Sequence, residues 1–328
     1  RFGGWPANNG MYAWGDEIVV GFTLAYYKKN PGRHAKDYDR PAVPRQARSL
    51  DGGETWTTEV PDYLDANDEE RPVTELEAPV DFSHPDLAVR LRNDKVYYST
   101  DRAKSWSGPH PLPTFGRPGL LARTAYLVEG PERLTAFVAA EKDDGGEGQT
   151  LCMRTEDGGM TWQKVGWIGP QPPAGYGYAI MPAAVRIGEV GYLAAVRRAG
   201  TFDGQKQWWL ETYLSPDDGE RWYQLEDPYI NNAGNPATLT RLEDGAIAMT
   251  YGWRDAPFGI RARVSRDDGR TWTEEVSLRA DGLTWDIGYP RTVVRADGKC
   301  VTTYYFTSAE HPEQHIAATI WDPRSVRE

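Results

Sequence analysis

Five eight-residue stretches of this 328-residue chain are near-copies of one another: Ser49–Trp56, Ser99–Trp106, Thr155–Trp162, Ser215–Trp222 and Ser265–Trp272. Each runs Ser or Thr, any residue, Asp, any residue, Gly, any residue, Thr, Trp. The second copy has Ala103 for Gly and Ser105 for Thr, and the fourth has Arg221 for Thr. The aspartates Asp51, Asp101, Asp157, Asp217 and Asp267 stand 50, 56, 60 and 50 residues apart. A unit that recurs at this period cannot bury its apolar face alone, so its copies form a propeller or another repeat array.

Each copy makes sense as a tight hairpin turn. The Asp carboxylate accepts from the turn's own N–H groups, and Gly supplies the positive φ such a turn needs. The Ser or Thr hydroxyl ties the flanks, and Trp is large enough to pin the hairpin to a neighbouring sheet. These aspartates are therefore read as turn residues, and the turn with Ala103 is expected to be strained or reshaped.

Apolar runs separated by turn signals fill each period. The first set is Gly10–Trp14, Glu17–Ala25, Arg45–Ser49 and Thr57–Pro61; the fourth includes Val190–Val196 and Trp208–Leu214. A sixth set, Gly288–Val294, Cys300–Phe306 and Ile316–Trp321, carries no repeat of the turn motif. The second, at about residues 79–112, is abbreviated, and the acidic stretch Asp62–Glu77 reads as a surface excursion. The expectation is an all-β, six-bladed β-propeller, one domain over residues 1–328, with one terminus completing the last sheet.

Composition narrows the partners. The net charge of −11 and the lack of a Lys/Arg block argue against nucleic acid. No apolar run approaches the length of a membrane span. Cys152 and Cys300 fall in different blades and are expected to be buried free thiols. No metal or cofactor motif stands out. His311 and His315 have metal-ligand spacing, but Pro312 and the absence of a helical pattern weigh against zinc. A monomer without cofactor is expected. No signal peptide precedes Arg1, and a secreted or periplasmic location is weighed slightly above a cytoplasmic one.

The five turns join third to fourth strands, so they share one face. A ligand is expected on the other, where first strands begin and second strands meet third. The long loop Tyr26–Arg40 there holds His34, Asp37, Asp39 and Arg40, the residue types of proton transfer. Other loops and first strands on that face supply Asn9, Arg123, Arg197, Arg198, Trp253, Arg254, Asp286, Tyr289 and Arg291. Arginines converging from several blades would suit a carboxylate-bearing ligand.

The repeated motif is the Asp box, or bacterial neuraminidase (BNR) repeat, and over essentially the whole chain the sequence resembles the sialidase superfamily. The resemblance implies a loop Asp as acid/base, matched by Asp37 or Asp39, and a nucleophilic Tyr, matched by Tyr289 in Gly288-Tyr289-Pro290-Arg291. It also implies three arginines on a substrate carboxylate. Two of those positions are instead occupied by Gly4-Trp5-Pro6-Ala7-Asn8-Asn9 and Gly234-Asn235-Pro236-Ala237. The chain thus looks like a divergent, sialidase-like branch, similar to propeller enzymes that cleave rhamnosyl–glucuronate caps on plant glycans by hydrolysis or elimination.

Three readings follow. The first is an exo-acting glycosidase cleaving a terminal acidic-sugar linkage of an oligosaccharide or glycoconjugate. Its catalytic candidates are Asp37, Asp39, His34 and Tyr289, with Arg40, Arg123, Arg198, Arg254, Arg291, Asn9 and Trp253 as substrate-binding candidates. The second is a uronate-directed lyase or rhamnosidase-type propeller enzyme, using His34 or Tyr289 as base. The third is a glycan-binding propeller without catalysis.

Overall fold

A computed structural model describes residues 1–326. Six antiparallel sheets give the chain the fold class of a six-bladed β-propeller. The first sheet contains β1 (Phe2–Gly4), β2 (Met11–Trp14), β3 (Glu17–Ala25), β4 (Val43–Ser49) and β5 (Thr57–Glu59). The second contains β6 (Ala88–Asn93), β7 (Lys95–Ser99), β8 (Ser107–Pro111) and β9 (Ala122–Arg123). The third is built from β10 (Tyr126–Val128), β11 (Leu134–Ala140), β12 (Gln149–Thr155) and β13 (Gln163–Ile168). The fourth comprises β14 (Tyr178–Ile187), β15 (Gly191–Phe202), β16 (Gln205–Ser215) and β17 (Tyr223–Gln224). The fifth has β18 (Ala237–Arg241), β19 (Ile247–Trp253), β20 (Gly259–Ser265) and β21 (Val276–Arg279). The last has β22 (Gly288–Val294), β23 (Cys300–Phe306) and β24 (His315–Trp321).

Contacts divide the chain into two units: Arg1–Pro61 with the segment from Asn235 onward, and Asp62–Gly234. The first unit holds the first, fifth and last sheets; the second holds the other three. Sheets covered on both faces have near-continuous apolar strands rather than alternating ones. Accordingly β11 and β23 are buried at every position. In the second unit Val89, Leu91, Leu120, Leu134, Val138 and Leu151 form one core cluster, while Phe137, Cys152, Tyr192 and Tyr213 anchor another. Both thiols, Cys152 and Cys300, are buried and free, as the sequence leads one to expect.

All five Asp boxes share one hydrogen-bond scheme. In the first, Ser49 Oγ donates to Asp51 Oδ1 at 2.8 Å and accepts from Gly53 N at 2.8 Å. Asp51 in turn accepts from Thr55 N at 2.9 Å and Thr55 Oγ1 at 2.6 Å. Arg221 of the fourth box replaces the Thr hydroxyl with its guanidinium, which donates to Asp217. The fifth position also touches the preceding sheet. A Cβ on Gly159 would stand 2.5 Å from Tyr98 Oη, and one on Gly219 would stand 2.7 Å from Cys152 Sγ. Ala103 keeps the box scheme with φ at 60°. That turn is strained, not reshaped.

Two details depart from the sequence expectation and two refine it. The terminus does not complete the last sheet: β1 and β2 both pair with β3, while Gly3 N donates to Gln314 O at 2.8 Å and the Arg1 amino group to Glu313, both just ahead of β24. Between β1 and β2 the segment Trp5–Gly10 bulges out through a 3-10 turn at Pro6–Asn8, with Trp5 at φ 56°. Next, β15 and β16 run far beyond the expected Val190–Val196, because Asp203 (φ 49°) and Gly204 (φ 75°) make a two-residue hairpin turn. Arg197 and Arg198 therefore lie within a strand rather than on a loop. The stretch Asp62–Glu77 is pinned: Tyr63 is buried against Tyr97 and Trp106, and Arg71 donates to Trp106 O at 3.0 Å. Finally, the abbreviated second sheet lacks a first strand of its own and takes the two-residue β9 in that place.

Candidate active site around His34 and Asp286

The loop after β3 folds back as a small hairpin. Tyr27 bridges Lys36, and the Asn30 side-chain amide spans the carbonyls of Lys28, His34 and Lys36 at 2.9, 3.0 and 2.7 Å. This local cross-bracing presents His34 at the end of its sheet remote from the Asp box. There His34 Nδ1 meets Asp286 Oδ1 at 2.5 Å.

Asp286 is buried and fully used as an acceptor. Oδ1 also accepts from Tyr305 Oη at 2.7 Å, and Oδ2 accepts from Ala35 N at 2.8 Å and Gln314 Nε2 at 3.2 Å. Burial pushes its carboxyl up, but the His34 hydrogen bond and charge, with the Ala35 and Tyr305 donors, outweigh it and leave the group below its ordinary value. A carboxylate that only accepts fixes a proton on His34 Nδ1, so that in the neutral ring Nε2 is the basic nitrogen. Behind it, Arg254 Nη2 donates to Tyr305 Oη at 2.8 Å. Burial, above all, holds the Tyr305 hydroxyl well above its usual range, so it stays a donor.

Aromatic rings wall the imidazole. Trp5 lies edge-on with ring centres 5.1 Å apart, and Trp285 is 5.5 Å away. Asn9 Nδ2 donates to Trp5 O at 3.2 Å, bracing the left-handed turn that carries Trp5. Tyr289 packs against Tyr305 at 5.9 Å, and the Arg254 guanidinium sits 5.5 Å from the Tyr289 ring and 5.3 Å from that of Trp285.

Asn235 sets the strand that supplies Asp286 and Tyr289. Its amide donates to Ile287 O at 2.8 Å and its oxygen accepts from Tyr289 N at 2.9 Å. Gly288, with φ at 103°, has no room for a Cβ, which would fall 2.2 Å from Asn235 Nδ2. Tyr289 itself is held at φ 52°, a costly conformation for a residue preceding proline. Where the family resemblance implies a substrate arginine, the chain uses a buried amide to fix the site's backbone.

Of the sequence candidates, His34, Tyr289 and Arg254 come together, with Asn9 bracing from behind. Arg291 Nη2 turns to Ala7 O at 2.7 Å, and Trp253 lies 5.9 Å from the Arg261 guanidinium. Asp37 and Asp39 instead turn to Lys28 Nζ, at 3.3 and 2.9 Å, and Arg40 stacks 3.0 Å over the Tyr26 ring. Arg123 and Arg198 belong to the second unit, where Arg123 Nη1 donates to Asn93 Oδ1 at 3.0 Å and Arg198 pairs with Glu211 at 3.2 Å. Trp5, Trp285, Asp286, Asn235, Tyr305 and Gln314 were not among the site candidates. Only Asp286 and Asn235 carried a signal, as polar residues entering first strands. A separate apolar cavity of about 330 Å³ between the first and last sheets shares only Gln314 with the Asp286 cluster.

A family model described as a BNR repeat-like domain matches residues 86–301. The chain belongs to the BNR repeat-like family. Among solved structures, this BNR repeat-like chain is similar to a Dyadobacter fermentans protein of unknown function: 23% identity, TM-score 0.68, covering 99% of this chain and 98% of that one. A Penicillium chrysogenum α-L-arabinanase complexed with arabinobiose matches at 14% identity and TM-score 0.60, over 95% and 91% of the two chains. The NanB sialidase of Streptococcus pneumoniae matches at 12% identity and TM-score 0.62, over 100% of this chain and 69% of that one. No curated protein matches the sequence. These structural likenesses speak to the fold alone.

Proposed function

We propose that the chain is an exo-acting carbohydrate-active enzyme, a glycosidase-type propeller, in which His34 is the proton-transfer residue. The observation that carries the reading is the His34–Asp286 pair. A buried carboxylate orients the ring and fixes the tautomer, while Trp5 and Trp285 flank the imidazole. Aromatic faces suit the apolar C–H faces of a sugar, and a held imidazole suits proton transfer near neutrality. Tyr289 supplies a second hydroxyl, and Arg254 a cation, beside the same aromatic cluster. In hydrolysis His34 takes a proton from the attacking water, whose oxygen bonds to the anomeric carbon as the glycosidic C–O bond breaks, and the leaving oxygen takes the Tyr289 proton, which His34 afterwards returns through solvent.

The engagement of Asp37 and Asp39 with Lys28 favours a second reading, elimination at a uronate. There His34 removes the C5 proton, the C4–O bond breaks, and the departing oxygen takes the Tyr289 proton, leaving a C4–C5 double bond. Turnover of a panel of acidic plant and animal glycans tests both. New reducing ends without near-ultraviolet absorbance indicate hydrolysis, and absorbance at matched yield indicates elimination. His34→Asn and Tyr289→Phe are each expected to abolish turnover while the far-ultraviolet dichroism is retained. Full activity in His34→Asn would overturn the proposal. Saturable glycan binding with no cleavage across the panel would leave a binding propeller instead.

A further inference from the structure

We propose that the long hairpin of β15 and β16 carries a binding platform for a neutral sugar residue. It is built on Tyr229, Trp209 and Phe202, with the side-chain amides of Gln205 and Gln207 beside them. All five residues belong to the second unit, outside the His34 cluster. The choice of a sugar as ligand rests on the carbohydrate reading above, whereas the platform rests on its own geometry.

The register assembles one face. Phe202 stands opposite Gln205, Gly200 opposite Gln207 and Arg198 opposite Trp209, so by strand alternation these residues share a side of the hairpin with Glu211. Gly200 leaves open the space across which the Phe202 and Trp209 rings meet, with centres 5.5 Å apart. Tyr229 stacks on Trp209 from the following loop, at 26° between ring planes and 6.0 Å between centres. Trp209, which touches both other rings, is buried, whereas Phe202 and Tyr229 are 50% and 54% exposed. Gln205 and Gln207 are exposed as well. Because β16 runs into the fourth Asp box at Ser215, the Asp203-Gly204 tip lies at the end of the sheet remote from the box, where the sequence places a ligand.

The depth of its support sets this face apart from scattered exposed rings. Trp209 Nε1 donates to Glu211 Oε2 at 2.9 Å. Glu211 is itself buried and also takes Gln224 Nε2 at 3.1 Å, the Tyr213 hydroxyl, and the Arg198 guanidinium at 3.2 Å. Backbone bonds hold Tyr229 from the other side: Leu210 N donates to Ile230 O at 2.8 Å, and Ile230 N to Leu210 O at 3.1 Å. An exposed ring fixed in this way gives up little freedom when a ligand settles on it. A flat apolar surface flanked by amides, which both donate and accept, matches a pyranose with its C–H face and its rim of hydroxyls. Arg198 is paired with Glu211, and Lys206 projects from the opposite side of the hairpin, 4.2 Å over the Tyr176 ring. The residue this face selects is therefore uncharged, and Arg198 serves it as a support.

The test is a nuclear magnetic resonance titration of the full chain with cellotetraose, xylotetraose and mannotetraose, followed at the Trp209 indole N–H and by saturation transfer to the sugar C–H protons. The expected result is a saturable shift of that indole resonance with at least one of these neutral sugars, undiminished by added glucuronate. Kd is expected to rise about three- to tenfold in Tyr229→Ala and to stay near the wild-type value in Tyr229→Phe, which keeps the ring. Gln207→Ala is expected to weaken binding in the same direction. Absence of a saturable shift with all three sugars overturns the proposal, as does wild-type binding in both Tyr229→Ala and Phe202→Ala. Self-association of the chain that Tyr229→Ala abolishes, with no sugar bound, would assign the face to a second copy and overturn it too. Repeating the titration with His34→Asn separates the platform from the catalytic reading. Sugar binding is expected to survive there even if no glycan is ever turned over, and turnover lost only in His34→Asn would leave the catalytic reading standing if the platform fails.

Discussion

Replacing Asp286 by Asn removes one charge and changes almost no volume, yet every acceptor contact of the carboxylate is affected. Four donors converge on it: His34 Nδ1 and Tyr305 Oη on one oxygen, Ala35 N and Gln314 Nε2 on the other. An amide offers one oxygen. If its NH2 faces Ala35 and Gln314, the part-buried Ala35 N–H loses its acceptor, at a cost of about 1 kcal/mol. If the NH2 faces His34, the imidazole must accept at Nδ1, which moves the ring proton to Nε2 and removes the base. Loss of a positioned acid–base group lowers turnover by about 10²–10⁴-fold. Two measurements follow. Long-range ¹H–¹⁵N correlation of the imidazoles reads the tautomer without any substrate and is expected to place the His34 proton on Nδ1 in the wild type and on Nε2 in Asp286→Asn. Denaturant melts are expected to show the lost stability if the other rotamer wins. A wild-type His34 protonated on Nε2 would refute the reasoning, as would a variant unchanged in both tautomer and stability.

Further outcomes are expected elsewhere. Gly219→Ala forces a Cβ into Cys152 Sγ at positive φ and should cost roughly 2–4 kcal/mol in urea melts, whereas Ala103→Gly trades relief of a left-handed alanine against a lost buried methyl and should shift stability by less than about 1 kcal/mol. Hydrogen bonds from the Thr55 hydroxyl and N–H, then from Ser49, hold Asp51 down at about 2. Its folded value lies below its unfolded one, so its stabilisation is present above about pH 4 and is lost as pH falls toward the folded value. Asp51→Asn should therefore flatten the acid limb of a stability–pH curve. Burial pushes the thiols of Cys152 and Cys300 up to about 12, so neither should react with a disulfide reagent at neutral pH until the chain is unfolded, when both should.

The fold was legible because the Asp box is almost self-contained: its side-chain hydrogen bonds span at most four residues, so each turn announces itself in eight letters. The hairpin at Asp203-Gly204 was equally local and would have been found by applying the same turn chemistry to the fourth sheet. The site is another matter. His34 stood out as a loop histidine, but its partner lies 252 residues away, and nothing local marks Asp286 as an acceptor for that ring. Tyr305 sits inside a strand, and nothing in its run Cys300–Phe306 marks it for a site. Its role arises from what register and tertiary contact set beside it. Asp37 and Asp39 stood out for their proximity to His34 in sequence, but the loop's hairpin sends them to Lys28 instead.

That 252-residue separation has a kinetic side. A hydrogen bond from Ala35 N to Asp286 exists only after the first and last sheets of their unit have found each other, the least local event in building that unit. The Ala35 amide, sitting in an otherwise solvent-facing loop, thereby becomes a single-proton clock for closure: its exchange with deuterium would begin to slow when that contact forms and not before.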